Sequence, residues 1–449
     1  MSESMTIYAT YAIFMVATII AFQFRPLICS AAICYFGGWL LLPVAHYPAD
    51  TITAGYFTVN VIGTALPSNL GLTKAWVVPV SIILGITLKT PRIWSTIRLN
   101  WSDAFVLAYC VWPIFAMLIA QSDKEVAVYA SFYLAGAWGG SWLIGRVLFA
   151  GDNGRETLLR MIAWSGVILL PVALVEGVSG PLIYPIIYGD HAFLLEGASR
   201  YVGYRPLGFF EHGNQFGIWI ALSAFAWWAL VRQGKKAKGG VLTSAIILTV
   251  AAVASQSIGA ILLLCLGGAI MFLSAKRMRA FGYSMIALGA IFGLVYGSGI
   301  LPVEHIVRNT AFGQQAIEIV RASGRSSIGY RVRRDQMALA MLYRQPVAGY
   351  GKWDWWRPLG SHPWGLPLLI AGQFGAAGLL MAFISLLWGP IRAFLFSDMD
   401  RIPLATIVIL AAADAALNSY IFFPAILASA AIIKSRQQKG SVSRRAVEA

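Results

Sequence analysis

Repeated apolar runs of about 20 residues, the length that spans a bilayer as a helix, constrain this chain more than any other feature. They cover residues 6–22, 26–43, 73–89, 103–120, 126–148, 157–178, 213–231, 240–254, 257–275, 280–299, 366–390 and 402–433. Only 12% of the residues are charged, whereas about 25% is usual in a soluble domain. The sequence therefore predicts an all-α polytopic membrane protein.

The last run is too long for one span. Asp414 to Ser419 is expected to turn it into a hairpin of two short helices, which gives 12 or 13 spans and leaves the orientation of the N-terminus open. The first run has no basic segment before it and no small-residue cleavage site, so we expect a retained span. All cysteines lie in apolar runs without metal-ligand spacing and are expected to be small core residues. They are Cys29, Cys34, Cys110 and Cys265.

Lysine and arginine alternate along the chain in a way that predicts its orientation. They crowd the short connections near Lys89, Arg146, Arg232, Lys276 and Arg392, and are scarce at 121–125, 255–257 and 414–419. The positive-inside rule makes the crowded set cytoplasmic. The net charge of +15 then reflects topology, and no nucleic-acid partner is predicted.

This orientation divides the chain into six segments. They are N-terminal transmembrane helices (1–178), a first large outer loop (179–212), central transmembrane helices (213–300), a large Arg-rich outer loop (301–365), C-terminal transmembrane helices (366–433) and a cytoplasmic basic tail (434–449). A further outer segment, 44–72, carries Asp50, a candidate acidic catalyst. No room remains for a soluble catalytic domain, so any chemistry is expected on the loops and the span ends beneath them.

The second large loop has an expected helix of its own. Residues 330–344 have amphipathic spacing, with Tyr330, Met337 and Met341 on one face, and such a helix could equally lie on charged lipid headgroups. Gly349 and Gly351 follow its end. Three tryptophans, Trp353, Trp355 and Trp356, could stack on sugar rings or anchor the loop at the interface.

Several polar residues could carry chemistry. Arg200 and Arg205 flank aromatic residues before a span, where guanidinium groups bind phosphate oxygens or anchor the interface. His212 could begin a helix or act as a base, and His362 could be a structural residue or a general base. Glu176 is expected to reach the surface from a span end. Asp398-Met399-Asp400 resembles a metal-binding D-x-D but lies in a short cytoplasmic loop, so no metal or cofactor is predicted.

Four motifs together resemble the O-antigen ligase and O-antigen polymerase superfamily of integral membrane glycosyltransferases. They are Arg205-Pro-Leu-Gly-Phe-Phe-Glu-His-Gly-Asn214, Ser255-Gln-Ser-Ile-Gly-Ala260, Ser326-Ser-Ile-Gly-Tyr-Arg331 through Pro346-Val-Ala-Gly-Tyr-Gly351, and Ser361-His362 followed by Gly372-Gln-Phe-Gly375. The resemblance implies that His362 is the base and that Arg205, Arg325 and Arg331 bind the donor diphosphate. An arginine usual in the family is replaced at Ser257-Ile258-Gly259, so Arg333, Arg334 and Arg357 are candidates to replace it.

The resemblance implies a bacterial inner-membrane enzyme that joins polyprenyl-diphosphate-linked oligosaccharides on the periplasmic face, with the lipid bilayer and other polysaccharide-assembly proteins as partners. A polymerase is favoured over a ligase that moves the glycan to a lipid or protein acceptor. A lipid-linked glycan transporter or flippase is the alternative of another class. It should place polar residues on broken helices near mid-bilayer, and the spans look clean in sequence, which disfavours it.

Overall fold

The computed structural model describes residues 3–44, 72–97, 99–122, 124–189, 199, 202–234, 240–297, 305–306, 309–322, 328–352, 355–359, 363 and 365–433. In these ranges the chain is almost entirely helical and contains no strand. A single antiparallel bridge joins Ser199 and Tyr204.

The helices follow the predicted apolar runs closely. In chain order they are α1 Glu3–Phe24, α2 Leu27–Leu41, α3 Lys74–Lys89, α4 Trp101–Ala120, α5 Lys124–Leu134, α6 Gly140–Leu148, α7 Asp152–Ser179, α8 Ile183–Tyr188, α9 Gly213–Arg232, α10 Val241–Ala254, α11 Ile258–Met271, α12 Ala275–Gly297, α13 Ala311–Ala322, α14 Ile328–Leu342, α15 Leu366–Leu395, α16 Ile402–Leu417 and α17 Pro424–Ile432.

Five of these helices are long and apolar enough to cross a membrane: α1 from Met5, α4, α7, α9 and α15. Four shorter apolar helices accompany them, namely α2, α10, α11 and α16. Many large apolar side chains on the outside of the bundle are exposed, including Ile13, Leu118 and Leu174, as expected where lipid is the solvent. The prediction of an all-α membrane protein is confirmed at this level, and the count of 12 or 13 spans stays a prediction.

The bundle has two ends of different character. At one end, which we call the basic end, Arg146 forms an ion pair of 3.0 Å with Asp103 and donates to the carbonyl of Ile433 at the end of α17. Lys89 donates to the Arg25 carbonyl at the same end. The other end, which we call the loop end, carries the connections that follow α2, α7 and α14. The Lys- and Arg-rich connections therefore do gather on one side of the molecule.

Contacts along α1 settle which end it starts from. The Tyr11 hydroxyl, in its first half, donates to the Pro43 carbonyl just beyond α2, and α1 also packs against α8. Since α1 ends next to Arg25 at the basic end, it begins at the loop end. The sequence had left this orientation open.

The last apolar run does form a hairpin of two helices, but its turn lies at residues 418–423, about four residues later than the predicted Asp414 to Ser419. α16 ends at Leu417, where Asn418 Nδ2 donates to Asp414 Oδ1 at 2.9 Å, and α17 returns to the basic end. Every residue of α17 is buried. It packs against α6 and α15, and a Cβ atom on Gly145 would lie 2.3 Å from the Leu427 carbonyl oxygen. The second arm of the hairpin thus fills the interior of the bundle.

Three details of the prediction are wrong. The helix α14 exists, but its buried face is formed by Ala338, Leu339 and Leu342, and Met337 is 37% exposed. The face that packs on α15 is therefore rotated by about one residue from the face that the methionine spacing predicted. Cys29 and Cys265 are exposed rather than in the core. A second amphipathic helix, α13, lies in the same loop, and its sequence was not singled out.

The helices are also less regular than they look in sequence. A π-helical turn, Ala135–Gly139, separates α5 from α6. α15 is broken at Gly375, where φ is 68° and ψ is −174°. The expectation of clean spans is therefore wrong, since helix regularity depends on tertiary contacts that hydropathy does not encode.

Candidate functional site

The first motif segment, Arg205 to Asn214, enters α9 through a histidine cap. His212 has extended backbone angles, and its Nδ1 atom accepts from the Asn214 N–H at 3.0 Å. This satisfies one of the N–H groups that a helix start leaves unpaired. His212 therefore begins α9 in this structure, which is one of the two roles predicted for it.

A fully buried carboxylate holds the middle of this segment. Glu176 lies in the last turn of α7 with 0% of its surface exposed. Its Oε2 accepts from the N–H groups of Leu207 and Gly208 at 2.8 and 2.7 Å, and its Oε1 accepts from Ile183 at the start of α8 at 3.1 Å. The expectation that Glu176 reaches the surface is wrong, because these backbone donors supply the solvation that water would otherwise give.

The fully buried ammonium group of Lys74 bonds to a carbonyl further along the same segment. Lys74, at the start of α3, donates to the Phe209 carbonyl at 2.6 Å and lies within 3.4–3.5 Å of the last carbonyls of α2. Its Nζ atom also lies 5.4 Å from the Phe210 ring centroid and 5.6 Å from that of Trp39. Carbonyl dipoles and aromatic faces both attract a cation.

Together, Glu176 and Lys74 bond to the backbone of one short segment, the glutamate to its N–H groups and the lysine to a carbonyl. We call this pair the charge clamp. No sequence pattern predicts this pair, since a lysine at the start of an apolar run and a glutamate at the end of another are both typical of ordinary interfacial residues.

Arg205 joins this segment to the second motif. Its side chain is 6% exposed, and Nη2 donates to the Gln256 carbonyl at 3.2 Å. Its methylene groups lie so close to Gly213 that a Cβ atom there would be 2.1 Å from Arg205 Cδ. Gln256 adopts a left-handed conformation (φ 51°) and returns a bond from Nε2 to the Val202 carbonyl at 2.6 Å. Two motifs far apart in sequence therefore form one unit.

Residues 346–351 and 372–376, which belong to the third and fourth motifs, form a second unit. Where α15 breaks, the N–H groups of Tyr350 and Gly351 donate to the carbonyls of Gly372 and Gln373 at 2.8 and 2.9 Å. On the far side of the break, the N–H of Ala376 donates to the Pro346 carbonyl at 2.8 Å. Residues 346–351 thus supply the hydrogen bonds that the broken helix lacks. We call this arrangement of residues 346–351 on the break in α15 the backbone joint.

Glycine is required at this joint. A Cβ atom on Gly375 would lie 1.9 Å from the Val347 carbonyl oxygen, and one on Gly349 would lie 2.6 Å from the Gly372 oxygen. The indole of Trp355 lies on Gly372, where a Cβ atom would be 1.8 Å from the ring, and it stacks with Tyr350 at 6.0 Å between centroids. Both Trp355 and Trp356 are buried. The expectation that they stack on sugars at the surface is therefore wrong for these two.

Most of the predicted catalytic and diphosphate-binding residues cannot be placed. His362, Arg200, Arg325 and Asp50 lie outside the described residues. Arg331 lies in α14 and Arg357 in the short helix Arg357–Leu359, but their side chains are outside the described part of the structure. Arg334 is described, and its guanidinium donates to the Leu359 carbonyl.

The chain next to position 362 is anchored to α16. The Leu366 N–H donates to the Asn418 carbonyl at 3.0 Å, and a Cβ atom on Gly365 would lie 2.8 Å from the Ala416 oxygen. The buried Asp414, which holds Asn418, therefore lies beneath the start of α15 at the loop end.

Within the described ranges, no group of three or more His, Cys, Asp or Glu side chains is placed to hold a metal ion. No known protein-family model matches the sequence, and no characterised protein matches it significantly.

Proposed function

We propose that the protein is a membrane glycosyltransferase that joins polyprenyl-diphosphate-linked oligosaccharides at the loop end, as a polysaccharide polymerase. The observation that carries the proposal is that the segments resembling the O-antigen ligase and polymerase superfamily pack in pairs. Residues 205–214 contact 255–257, and 346–351 contact 372–376. Both pairs lie at one end of the bundle, where a lipid-linked donor could approach from the membrane.

In this proposal His362 removes the proton from the acceptor hydroxyl. The acceptor oxygen forms its bond to the anomeric carbon while the bond to the diphosphate breaks, and polyprenyl diphosphate leaves. Arg325 and Arg331, with Arg200, Arg334 and Arg357, balance the charge on that leaving group, an effect worth about 3 kcal/mol for each well-placed donor. Arg205 is the third arginine that the resemblance assigns to the diphosphate, and its bond from Nη2 to the Gln256 carbonyl also fixes the first unit.

The expected setting is a bacterial inner membrane with the loop end facing the periplasm. Polysaccharide-assembly proteins are the expected partners. A ligase that passes the glycan to a lipid or protein acceptor would use the same groups and differ in its acceptor.

One observation favours a second candidate, a transporter of lipid-linked glycans. α15 is a broken helix, and Gln373 beside the break is 1% exposed while its amide finds no hydrogen-bond partner among the described residues. Transporters often carry such features near the bilayer centre.

Reconstitution of the purified protein with a polyprenyl-diphosphate oligosaccharide separates these functions. A ladder of products on a gel is expected for a polymerase, and a single transfer that requires an acceptor identifies a ligase. An unchanged glycan that crosses the bilayer would identify a transporter and overturn the proposal. Within the enzymatic proposal, full activity of His362→Ala would move the role of base to His212 or Asp50.

A further inference from the structure

A cavity at the basic end lies far from the units described above. It opens where the start of α4, the end of α15, the start of α16 and the end of α17 meet. The space between its lining atoms, part of which is open solvent, is about 410 Å³. Its polar lining consists of Ser102, Trp388, Arg392, Asp398 and Arg401, and Ile433 contributes to its apolar wall.

The lining is rich in hydrogen-bond donors. Trp388 Nε1 and Arg401 Nε are buried and have no acceptor among the described residues. The one carboxylate in the lining, Asp398, pairs with Arg401 Nη1 at 3.2 Å. Arg392 is exposed, with its guanidinium 5.4 Å from the ring centroid of Phe396. Outside the lining, Asp152, Asp400 and Arg155 also act on the charge of Arg401. Within the lining, two guanidinium groups and an indole N–H face one carboxylate, and the buried N–H groups without an acceptor call for an anion.

The surroundings are those of a membrane interface. Phe396, which also lines the cavity, is 70% exposed, and Trp101, whose ring packs edge-on against Trp388 at 4.6 Å, is 45% exposed. Exposed aromatic side chains of this kind sit at the level of the lipid headgroups, and basic pockets between helices bind anionic headgroups there.

We propose that this cavity binds the phosphodiester of an anionic phospholipid, with Arg392, Arg401 and Trp388 as donors to its oxygens and the wall near Ile433 against its acyl chain. The D-x-D sequence at Asp398 is thus part of a lipid site, where the carboxylate orients Arg401. The site lies at the opposite end from the proposed glycosyl-transfer chemistry and does not depend on it.

Native mass spectrometry of the delipidated full-length protein tests the proposal. Phosphatidylglycerol, phosphatidylcholine and inorganic phosphate are added separately at matched concentrations, and retained adducts are counted. Phosphatidylglycerol should be retained in preference to phosphatidylcholine. Loss of one charge-assisted bond in Arg392→Gln should weaken that retention about tenfold. Trp388→Phe, which keeps a ring but removes the N–H, should weaken it severalfold.

Arg232→Gln is the matched control, since Arg232 is an exposed arginine at the end of α9. Equal retention of the two lipids would overturn the proposal. So would an Arg392→Gln effect no larger than that of Arg232→Gln. Full displacement of phosphatidylglycerol by an equal concentration of inorganic phosphate would show that the site takes a free anion and not a lipid.

Discussion

Two loop segments at the same end of the bundle are fixed by opposite means. Residues 202–212 are held by the charge clamp, in which Glu176 and Lys74 reach from neighbouring helices to the loop backbone. Residues 346–351 are held by the backbone joint, in which main-chain groups bond to those exposed by the break at Gly375. Neither segment is a surface loop in the usual sense.

The difference shows two ways of providing hydrogen-bond partners for backbone N–H and C=O groups where water is scarce. A clamp relies on a particular charged side chain, and so a change of one functional group should release it. A joint relies on the absence of a Cβ atom, and so one added methyl group should open it. The four predictions below test these dependences.

The largest effect is expected at the joint. Gly375→Ala would place a methyl group 1.9 Å from the Val347 oxygen in a backbone conformation that is essentially confined to glycine. We expect a loss of about 4 kcal/mol or more in the free energy of unfolding, because both the strain and the overlap involve main-chain atoms. Unfolding can be followed with a thiol-reactive dye in a Cys29→Ser, Cys265→Ser background, where the buried Cys34 and Cys110 report loss of structure.

Gly268→Ala is the matched control for Gly375→Ala. Gly268 lies in α11, and a Cβ atom there would meet no atom within 4 Å. Its replacement should be neutral or slightly stabilising. Equal effects of the two substitutions would mean that the break in α15 is not fixed by glycine.

Glu176→Gln should lower the free energy of unfolding by about 2–3 kcal/mol, because the amide nitrogen would face backbone donors and the charge-assisted bonds would be lost. The same substitution at Glu156, on the same helix but in a surface pair with Arg160, should cost less than about 0.5 kcal/mol. Denaturant unfolding of both variants measures the difference. Equal losses in the free energy of unfolding for Glu176→Gln and Glu156→Gln would show that Glu176 does not hold the loop.

Lys74→Met should lower the free energy of unfolding by less, about 2 kcal/mol. The bond to Phe209 is lost, but the folded protein no longer has to bury a charge, which partly offsets that loss. Lys89→Met, at the other end of α3, removes a comparable bond to the Arg25 carbonyl at an exposed site and should be nearly neutral. A cysteine introduced at Val202, which is exposed, should also become more reactive in Lys74→Met as the loop loosens. Unchanged reactivity would show that Lys74 stabilises α2 and α3 without holding the loop.

The smallest effect is expected at Gln256. Gln256→Ala loses the side-chain bond to Val202 but keeps the left-handed backbone, and should cost about 1 kcal/mol. Gln256→Gly loses the same bond but gains about 1 kcal/mol from relief of the left-handed strain. The glycine variant should therefore match the parent protein in thermal unfolding. A glycine variant no more stable than the alanine variant would mean that the turn carries no strain.

The helices could be read from the sequence because each apolar run needs its own internal hydrogen bonds in lipid. This rule predicted most of the helix positions and a hairpin in the last apolar run, although the turn lies about four residues after Asp414. It could not predict the break at Gly375, because pairs of glycines also occur in segments that stay helical, such as Leu266-Gly267-Gly268. What breaks α15 is a partner segment that arrives from residues 346–351.

The candidate site was harder to predict for the same reason. Arg205 was singled out because it flanks aromatic residues before a span and begins a motif of the resembled family, although its observed partner is a backbone carbonyl. Lys74 and Glu176 were missed as holding groups because a charge at a helix end usually faces water. Only the folded structure shows that residues 202–212 lie over the side chains of Lys74 and Glu176.

The burial of α17 bears on how the protein is made. This helix leaves the ribosome after every other described helix, yet it occupies the interior between α6 and α15, with the Phe423 carbonyl accepting from Tyr35 of α2. The earlier helices must therefore enter the membrane around a slot lined by Gly145 and Ser141. Until α17 has entered that slot, the side chains that line it face lipid or water instead of protein.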